Sequence, residues 1–204
     1  MALNEIFDRV AAGVSAQGWL ALPEFIDPET IAALREECRQ LAATGRLRQA
    51  AVGNNAHRLI RTDIRGDEIL WLDTTQHNEA RQRCLARFEQ LRLTLNRLLQ
   101  LGLLEFDCHY ARYAAGASYR KHLDRFRGDT RRILSSVLYL NDGWKHGDGG
   151  ALRLYLDAAE NAEHVDVQPS GGTLVVFLSE SFPHEVLPAR RERLSLTGWF
   201  LGRE

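Results

Sequence analysis

The chain has almost no net charge: 26 Lys and Arg against 27 Asp and Glu leave -1 over 204 residues. That balance gives no electrostatic case for a nucleic-acid partner or an anionic membrane. No apolar run approaches the roughly 20 residues that span a bilayer. The first residues, Met1-Ala2-Leu3-Asn4-Glu5, lack a basic segment ahead of an apolar one, so no secretory signal is expected. Cysteine is scarce. The three present, Cys38, Cys84 and Cys108, are odd in number and widely spaced, which argues against a disulfide framework and a zinc knuckle. Reduced core thiols in a cytoplasmic protein are the expectation. No internal repeat, low-complexity stretch or linker divides the chain, so residues 1–204 read as one domain. Gly147-Asp148-Gly149-Gly150 precedes no helix and reads as a turn, not a phosphate cradle, with His146 exposed beside it.

What is present is ordinary in bulk, 45% apolar and 26% charged, and long enough to bury a core. Residues 3–17 carry Leu3, Ile6, Phe7, Val10 and Val14 at a helical period, Gly18 ends the run, and Trp19–Leu22 reads as a short strand. Asp27-Pro28-Glu29 starts a second helix that turns Ile31, Leu34, Cys38 and Leu41 inward and stops near Gly45. Residues 46–58 are basic and polar, with a turn signal at Gly53-Asn54-Asn55. Leu59 to Leu72 reads as strand material interrupted by Arg65-Gly66-Asp67, and a long helix follows from about Asn78 to Leu101 with Leu85, Phe88, Leu91, Leu95 and Leu98 along one face. From Phe106 short β-rich segments alternate with turns, at 106–113, 119–124, 133–140, 151–156, 164–167, 173–178, 184–187 and 193–201. Strands at this spacing predict two facing sheets or a barrel. The expected class is α+β and mainly β: a double-stranded β-helix (jelly-roll) core over about 104–204, backed by helices from about 1–103.

The chemistry gathers around Tyr119-Arg120-Lys121-His122-Leu123-Asp124 and Phe182-Pro183-His184-Glu185-Val186. Along a strand, His122 and Asp124 point the same way. With His184 from another strand they form two histidines and one carboxylate on one face of an ion, the ligand set of non-haem Fe(II) oxygenases. Zinc suits the same donors. Arg193, nine residues beyond His184, offers the planar guanidinium that grips a carboxylate. A turn at Leu187-Pro188-Ala189-Arg190 is expected to make the two segments an antiparallel hairpin. Thr197, four residues after Arg193, shares its strand face.

His122-x-Asp124, His184 and Arg193 resemble the signature of the Fe(II)/2-oxoglutarate-dependent dioxygenases. More narrowly, the chain resembles the prolyl 4-hydroxylase branch, which holds the animal oxygen-sensing prolyl hydroxylases and their bacterial relatives. Also similar are Ile64–Leu72, Tyr139-Leu140-Asn141, Gly149–Arg153 and Arg193–Phe200, so the likeness covers about residues 64–200. It implies that iron is held by His122, Asp124 and His184, and that Arg193 and Tyr139 grip the far carboxylate of 2-oxoglutarate. Thr197 would support that carboxylate directly or through water, and Tyr113 would line the pocket near the metal. It further implies use of dioxygen, release of succinate and CO2, and ascorbate as reductant. The carboxylate ligand favours hydroxylation over halogenation. The primary substrate would be a prolyl residue in a polypeptide, with elongation factor Tu a candidate target because bacterial relatives act there. Arg132 and Trp199 would lie near it, and a mobile loop at 46–63, containing Arg58, would fold over it. A monomer without nucleic-acid or membrane partners is expected. The alternatives are an oxygenase of the same fold acting on a free amino acid or metabolite, and a non-catalytic metal-binding module.

Overall fold

Side chains that alternate along a strand need a buried layer on each side of the sheet, and here helices fill one layer and a second sheet the other. The computed structural model describes residues 3–53, 59–73, 78–125, 130–157, 159 and 163–203. Three helices, α1 (Leu3–Gln17), α2 (Pro28–Ala43) and α3 (Glu79–Leu99), accompany short strands β1 (Trp19–Leu22), β2 (Arg48–Gln49) and β3 (Asp67–Trp71). All eight segments expected as strands after residue 105 are strands: β4 (Glu105–Tyr113), β5 (Tyr119–His122), β6 (Arg132–Tyr139), β7 (Leu152–Tyr155), β8 (His164–Val167), β9 (Leu174–Leu178), β10 (His184–Val186) and β11 (Arg193–Leu201). They form a seven-stranded sheet, β1-β9-β6-β11-β4-β3-β2, and a four-stranded sheet, β5-β10-β7-β8, each paired antiparallel throughout. This is the jelly-roll core that the strand spacing predicts. Among the described residues no helix is long and apolar enough to cross a membrane.

The helices start where their capping residues stand. Asp27 accepts from the Thr30 amide at 2.8 Å with Pro28 behind it, and Asn78 accepts from the Arg81 amide at 3.0 Å. Their apolar faces (Phe7, Val10, Leu34, Phe88, Leu91, Leu95) pack on the outer face of the large sheet. Cys38, Cys84 and Cys108 are buried free thiols in or beside this layer. Burial pushes each thiol up, Cys38 to about 12. A second core, with Tyr113, Val137, Val175, Phe177, Leu152 and Leu154, lies between the sheets.

Four expectations need correction. Leu98 is 44% exposed, because the buried stripe of Cys84, Phe88, Leu91 and Leu95 continues through Leu99, which packs on the core, and leaves Leu98 beside it. Arg65-Gly66-Asp67 does not interrupt a strand. It begins one, since Asp67 pairs with Tyr113, while Leu59 makes only an isolated bridge to Val52 and is exposed with Ile60. The N-terminal part is not merely helical support: β1, β2 and β3 extend the large sheet. Finally, β10 and β11 are not a hairpin, for they lie in different sheets. Residues 187–190 instead run beside 148–151, with Leu187 N donating to Ala151 O (3.0 Å), Gly150 N to Pro188 O (3.0 Å) and Arg190 N to Asp148 O (2.8 Å). That approach requires glycine: Gly149 has φ of 70°, and a Cβ there would sit 2.6 Å from the Pro188 carbonyl oxygen.

Candidate active site

Pairing of β5 with β10 sets His122 opposite His184. Their rings lie 4.2 Å apart between centroids. The Nδ1 atom of His122 faces the Arg120 carbonyl at 2.7 Å, and that of His184 faces the Phe182 carbonyl at 3.0 Å. A carbonyl can only accept, so each Nδ1 carries the proton and each Nε2 presents its lone pair. Both lone pairs are turned toward Asp124, whose carboxylate oxygens lie 3.7 Å from His122 Nε2 and 3.6 Å from His184 Nε2. One donor atom from each residue lies within 4.8 Å of the others, which makes the three a possible metal cluster.

Asp124 sits just past the end of β5 and is buried. The large sheet reaches across to hold it: Ser135 of β6 donates to Oδ2 at 2.7 Å and itself contacts Ser179 at 2.9 Å. Arg132 donates to the Asp124 main-chain oxygen at 3.0 Å. Burial works hardest against the charge on Asp124, but His184, His122, the Ser135 hydroxyl and Arg132 outweigh it and hold the carboxyl down at about 2. Burial, with His184 beside it, holds His122 at about 3. With both Nδ1 atoms on carbonyls, the cluster offers two imidazole Nε2 lone pairs and one carboxylate, a donor set that fits a divalent cation.

Arg193 opens β11 and lines the same cavity. Its strand is anchored where Asn141 accepts from the Leu194 amide at 2.7 Å. The guanidinium is 1% exposed, donates to the Gly150 carbonyl at 2.9 Å, and lies 5.1 and 5.0 Å from the ring centroids of Tyr113 and Tyr139. It has no acidic partner among the described residues. A buried cation in that state is suited to an anionic partner. The buried Tyr139 hydroxyl has no hydrogen-bond partner either. The residues present thus fit a dicarboxylate reaching from Arg193 toward the cluster.

The remaining expected residues are less evenly placed. Tyr113, Thr197 and Trp199 line the cavity. Thr197 also meets Ser195 at 3.3 Å. Arg132 stacks over Trp199 at 3.8 Å, outside the cavity wall but against it. Arg58 lies outside the described residues, as does the 54–58 part of the expected loop. Arg61 is paired with Asp63, and Arg48 belongs to β2. Sequence reasoning missed several residues. Arg65 and Asp67 line the cavity as a two-pronged pair at 2.7 and 3.0 Å, with Arg65 over Tyr119. Their opposite charges two residues apart were the available signal. His109, on the cavity face of β4, and Ser135, which reaches Asp124, carried no such signal.

A sequence model of the 2OG-Fe(II) oxygenase superfamily matches residues 108–201. The crystal structure of a Pseudomonas putida prolyl-4-hydroxylase is 47% identical, covers 97% of this chain and 100% of its own, and superposes with a TM-score of 0.85. A Trichoplax adhaerens prolyl hydroxylase, in complex with a hypoxia-inducible factor oxygen degradation domain peptide fragment, is 26% identical with a TM-score of 0.86, over 98% of this chain and 90% of that one. A hypoxia-inducible factor prolyl hydroxylase of Caenorhabditis elegans is 28% identical over 98% of this chain and 29% of its own length. The chain spans half or less of the length of the curated relatives that it matches first.

Proposed function

Because the chain belongs to the 2OG-Fe(II) oxygenase superfamily, we propose that it is a 2-oxoglutarate-dependent hydroxylase of a prolyl residue in a polypeptide. One observation carries this reading: a buried, unneutralised Arg193, with the Tyr139 ring 5.0 Å from its guanidinium, shares a cavity with the His122, Asp124 and His184 cluster. A metal-binding module alone has no use for a second anion site at that depth. The full-length likeness to a prolyl-4-hydroxylase supports the prolyl substrate. Elongation factor Tu is a candidate target, through the resemblance to bacterial relatives.

In this reading His122, Asp124 and His184 hold iron, which when bound supplies the oxidation of substrate by dioxygen with 2-oxoglutarate as co-reductant. Succinate and CO2 are the expected by-products, ascorbate the expected reductant, and a cytoplasmic monomer the expected form. The protein's own tasks are orientation and exclusion of water. Hydrogen bonds at both Nδ1 atoms keep the two Nε2 lone pairs aimed at one point, and Ser135 keeps Asp124 from turning away. Arg193, between two tyrosine rings, holds the far carboxylate with Tyr139, while Tyr113 and Thr197 wall the space between. Arg132, stacked on Trp199 and tied to the Asp124 main chain, links the substrate side to the metal side. Arg58 remains a proposed substrate contact on the 46–63 segment.

The test is mass spectrometry of host extract treated with wild-type protein or with Asp124→Ala, scoring gain of one oxygen on proline. Wild-type protein should produce it and Asp124→Ala should not, while the variant keeps its folded melting transition. Oxygen gained only by a free amino acid or metabolite would replace the polypeptide reading with the small-molecule one.

A further inference from the structure

His109 lies mid-strand in β4 and lines the cavity at 1% exposure, yet neither ring nitrogen has a hydrogen-bond partner among the described residues. A neutral imidazole carries one donor and one acceptor. An apolar residue of the same size would fill the space without leaving either unpaired, so packing alone does not account for histidine here. Burial, then Arg65 and Arg132, hold its pKa down to about 3 against the pull of Asp124, which keeps the ring uncharged. Two tryptophans flank it: Trp71 at 4.8 Å and Trp199 at 5.5 Å between centroids, the latter nearly parallel at 29°. They fix the ring plane.

Strand register sets its depth. Along β11, Arg193 pairs with Tyr113, Ser195 with Ala111 and Tyr139, Thr197 with His109 and Val137, and Trp199 with Ser135, the residue that holds Asp124. Each step of two residues advances roughly 6.6 Å. A dicarboxylate anchored by the long Arg193 side chain and running toward the metal cluster passes small Ala111 and ends level with His109. A polypeptide would have to approach from the rim, where Trp71 is 47% exposed, and would meet the tryptophans first.

We propose that His109 positions the cosubstrate, donating its ring N–H to the metal-side carboxylate of 2-oxoglutarate while Arg193 holds the other end. This rests on the superfamily reading of the cavity and not on the identity of the primary substrate.

The experiment titrates Zn(II)-loaded protein with 2-oxoglutarate by calorimetry, comparing wild type, His109→Leu and His109→Gln. His109→Leu should raise the 2-oxoglutarate Kd about tenfold, the effect of one lost hydrogen bond in a buried site. Zinc affinity should not change. Ligand-free His109→Leu should melt at the same or a higher temperature, which a merely structural histidine would not allow. His109→Gln, which keeps a donor, should recover most of the affinity. An unchanged Kd in His109→Leu overturns the proposal. So does an unchanged Kd joined to a raised KM for a synthetic peptide centred on the modified proline, which would give the nitrogen to the primary substrate. Absence of oxidised proline in host extract would sink the prolyl reading while leaving this titration readable, so the two failures are distinct.

Discussion

The two faces of the seven-stranded sheet are built from the same strands and do opposite work. On β11 the outer face carries Leu194, Leu196 and Phe200, and the inner face Arg193, Ser195, Thr197 and Trp199. On β6, Leu134 and Leu138 face the helices, while Ser135, Val137 and Tyr139 face the other sheet. The outer face is filled by apolar side chains from α1, α2 and α3. The inner face holds the Tyr139 hydroxyl, both nitrogens of His109 and the Trp199 indole nitrogen without hydrogen-bond partners among the described residues, together with an Arg193 that has no acidic partner there. Buried polar groups are normally satisfied. Four such atoms and an unneutralised cation on one face cost stability, which the apolar, helix-backed face offsets.

The contrast breaks most visibly from the outer side. Phe200 is fully buried, 4.6 Å from the Phe106 ring and 6.2 Å from Phe88. Phe200→Ala should cost about 3–5 kcal/mol, the range for emptying a buried aromatic site. Urea denaturation would read it as a lowered midpoint, and 2-oxoglutarate affinity of the folded fraction should hold. A large affinity loss at modest stability cost would mean the two faces are coupled through the sheet.

The alternation itself is legible in the sequence, because a period of two needs no long-range information. His122, Asp124, His184 and Arg193 can be read for the same reason: their residue types and spacing limit the chemistry. What the pattern does not carry is how strands are shared between sheets. The step from His184 to Arg193 fits a hairpin as well as a crossover, and only the close passage at Gly149 and Gly150 against Pro188 decides it. Arg65-Gly66-Asp67 misleads because glycine beside charged residues reads as a turn, whereas Gly66 here donates to the Ser118 carbonyl and Asp67 enters β3. His109 is silent, since a single histidine in a strand is more often packing than function.

From the inner side, Arg193→Ala should raise the apparent constant for 2-oxoglutarate by about 30-fold or more, because the far carboxylate loses a charge-assisted pair in a buried site. Iron affinity should change little. Arg193→Lys should recover only part, since a point charge cannot make the paired contact. Stability should fall far less than in Phe200→Ala, because a cation without an acidic partner is removed. Loss of iron with 2-oxoglutarate affinity intact would instead put Arg193 at the metal and move the anion site elsewhere, with Arg190 and Arg191 the next to consider.

The smallest effect concerns protons and sharpens the comparison at His109. Its folded pKa is pushed down to about 3 from the ordinary 6.5. Below the ordinary value the unfolded chain binds a proton that the folded protein refuses, so the penalty is absent above about pH 6.5 and grows as pH falls. The slope is about 1.4 kcal/mol per pH unit for one group until the folded pKa is reached. His122, held low by burial and His184, adds its own slope in the metal-free protein, but that is common to wild type and variant. Asp124 runs the other way: its carboxyl is lowered to about 2 from 3.8, so its contribution is complete above the ordinary value and is lost only in stronger acid. In metal-free protein, then, the stability of His109→Leu relative to wild type should increase by about 2 kcal/mol between about pH 7 and about pH 5. Urea midpoints of both proteins across that interval would measure it. A difference that stays constant would mean that His109 takes up its proton in the folded state, and so that water or a buried acid already serves the nitrogen assigned to 2-oxoglutarate.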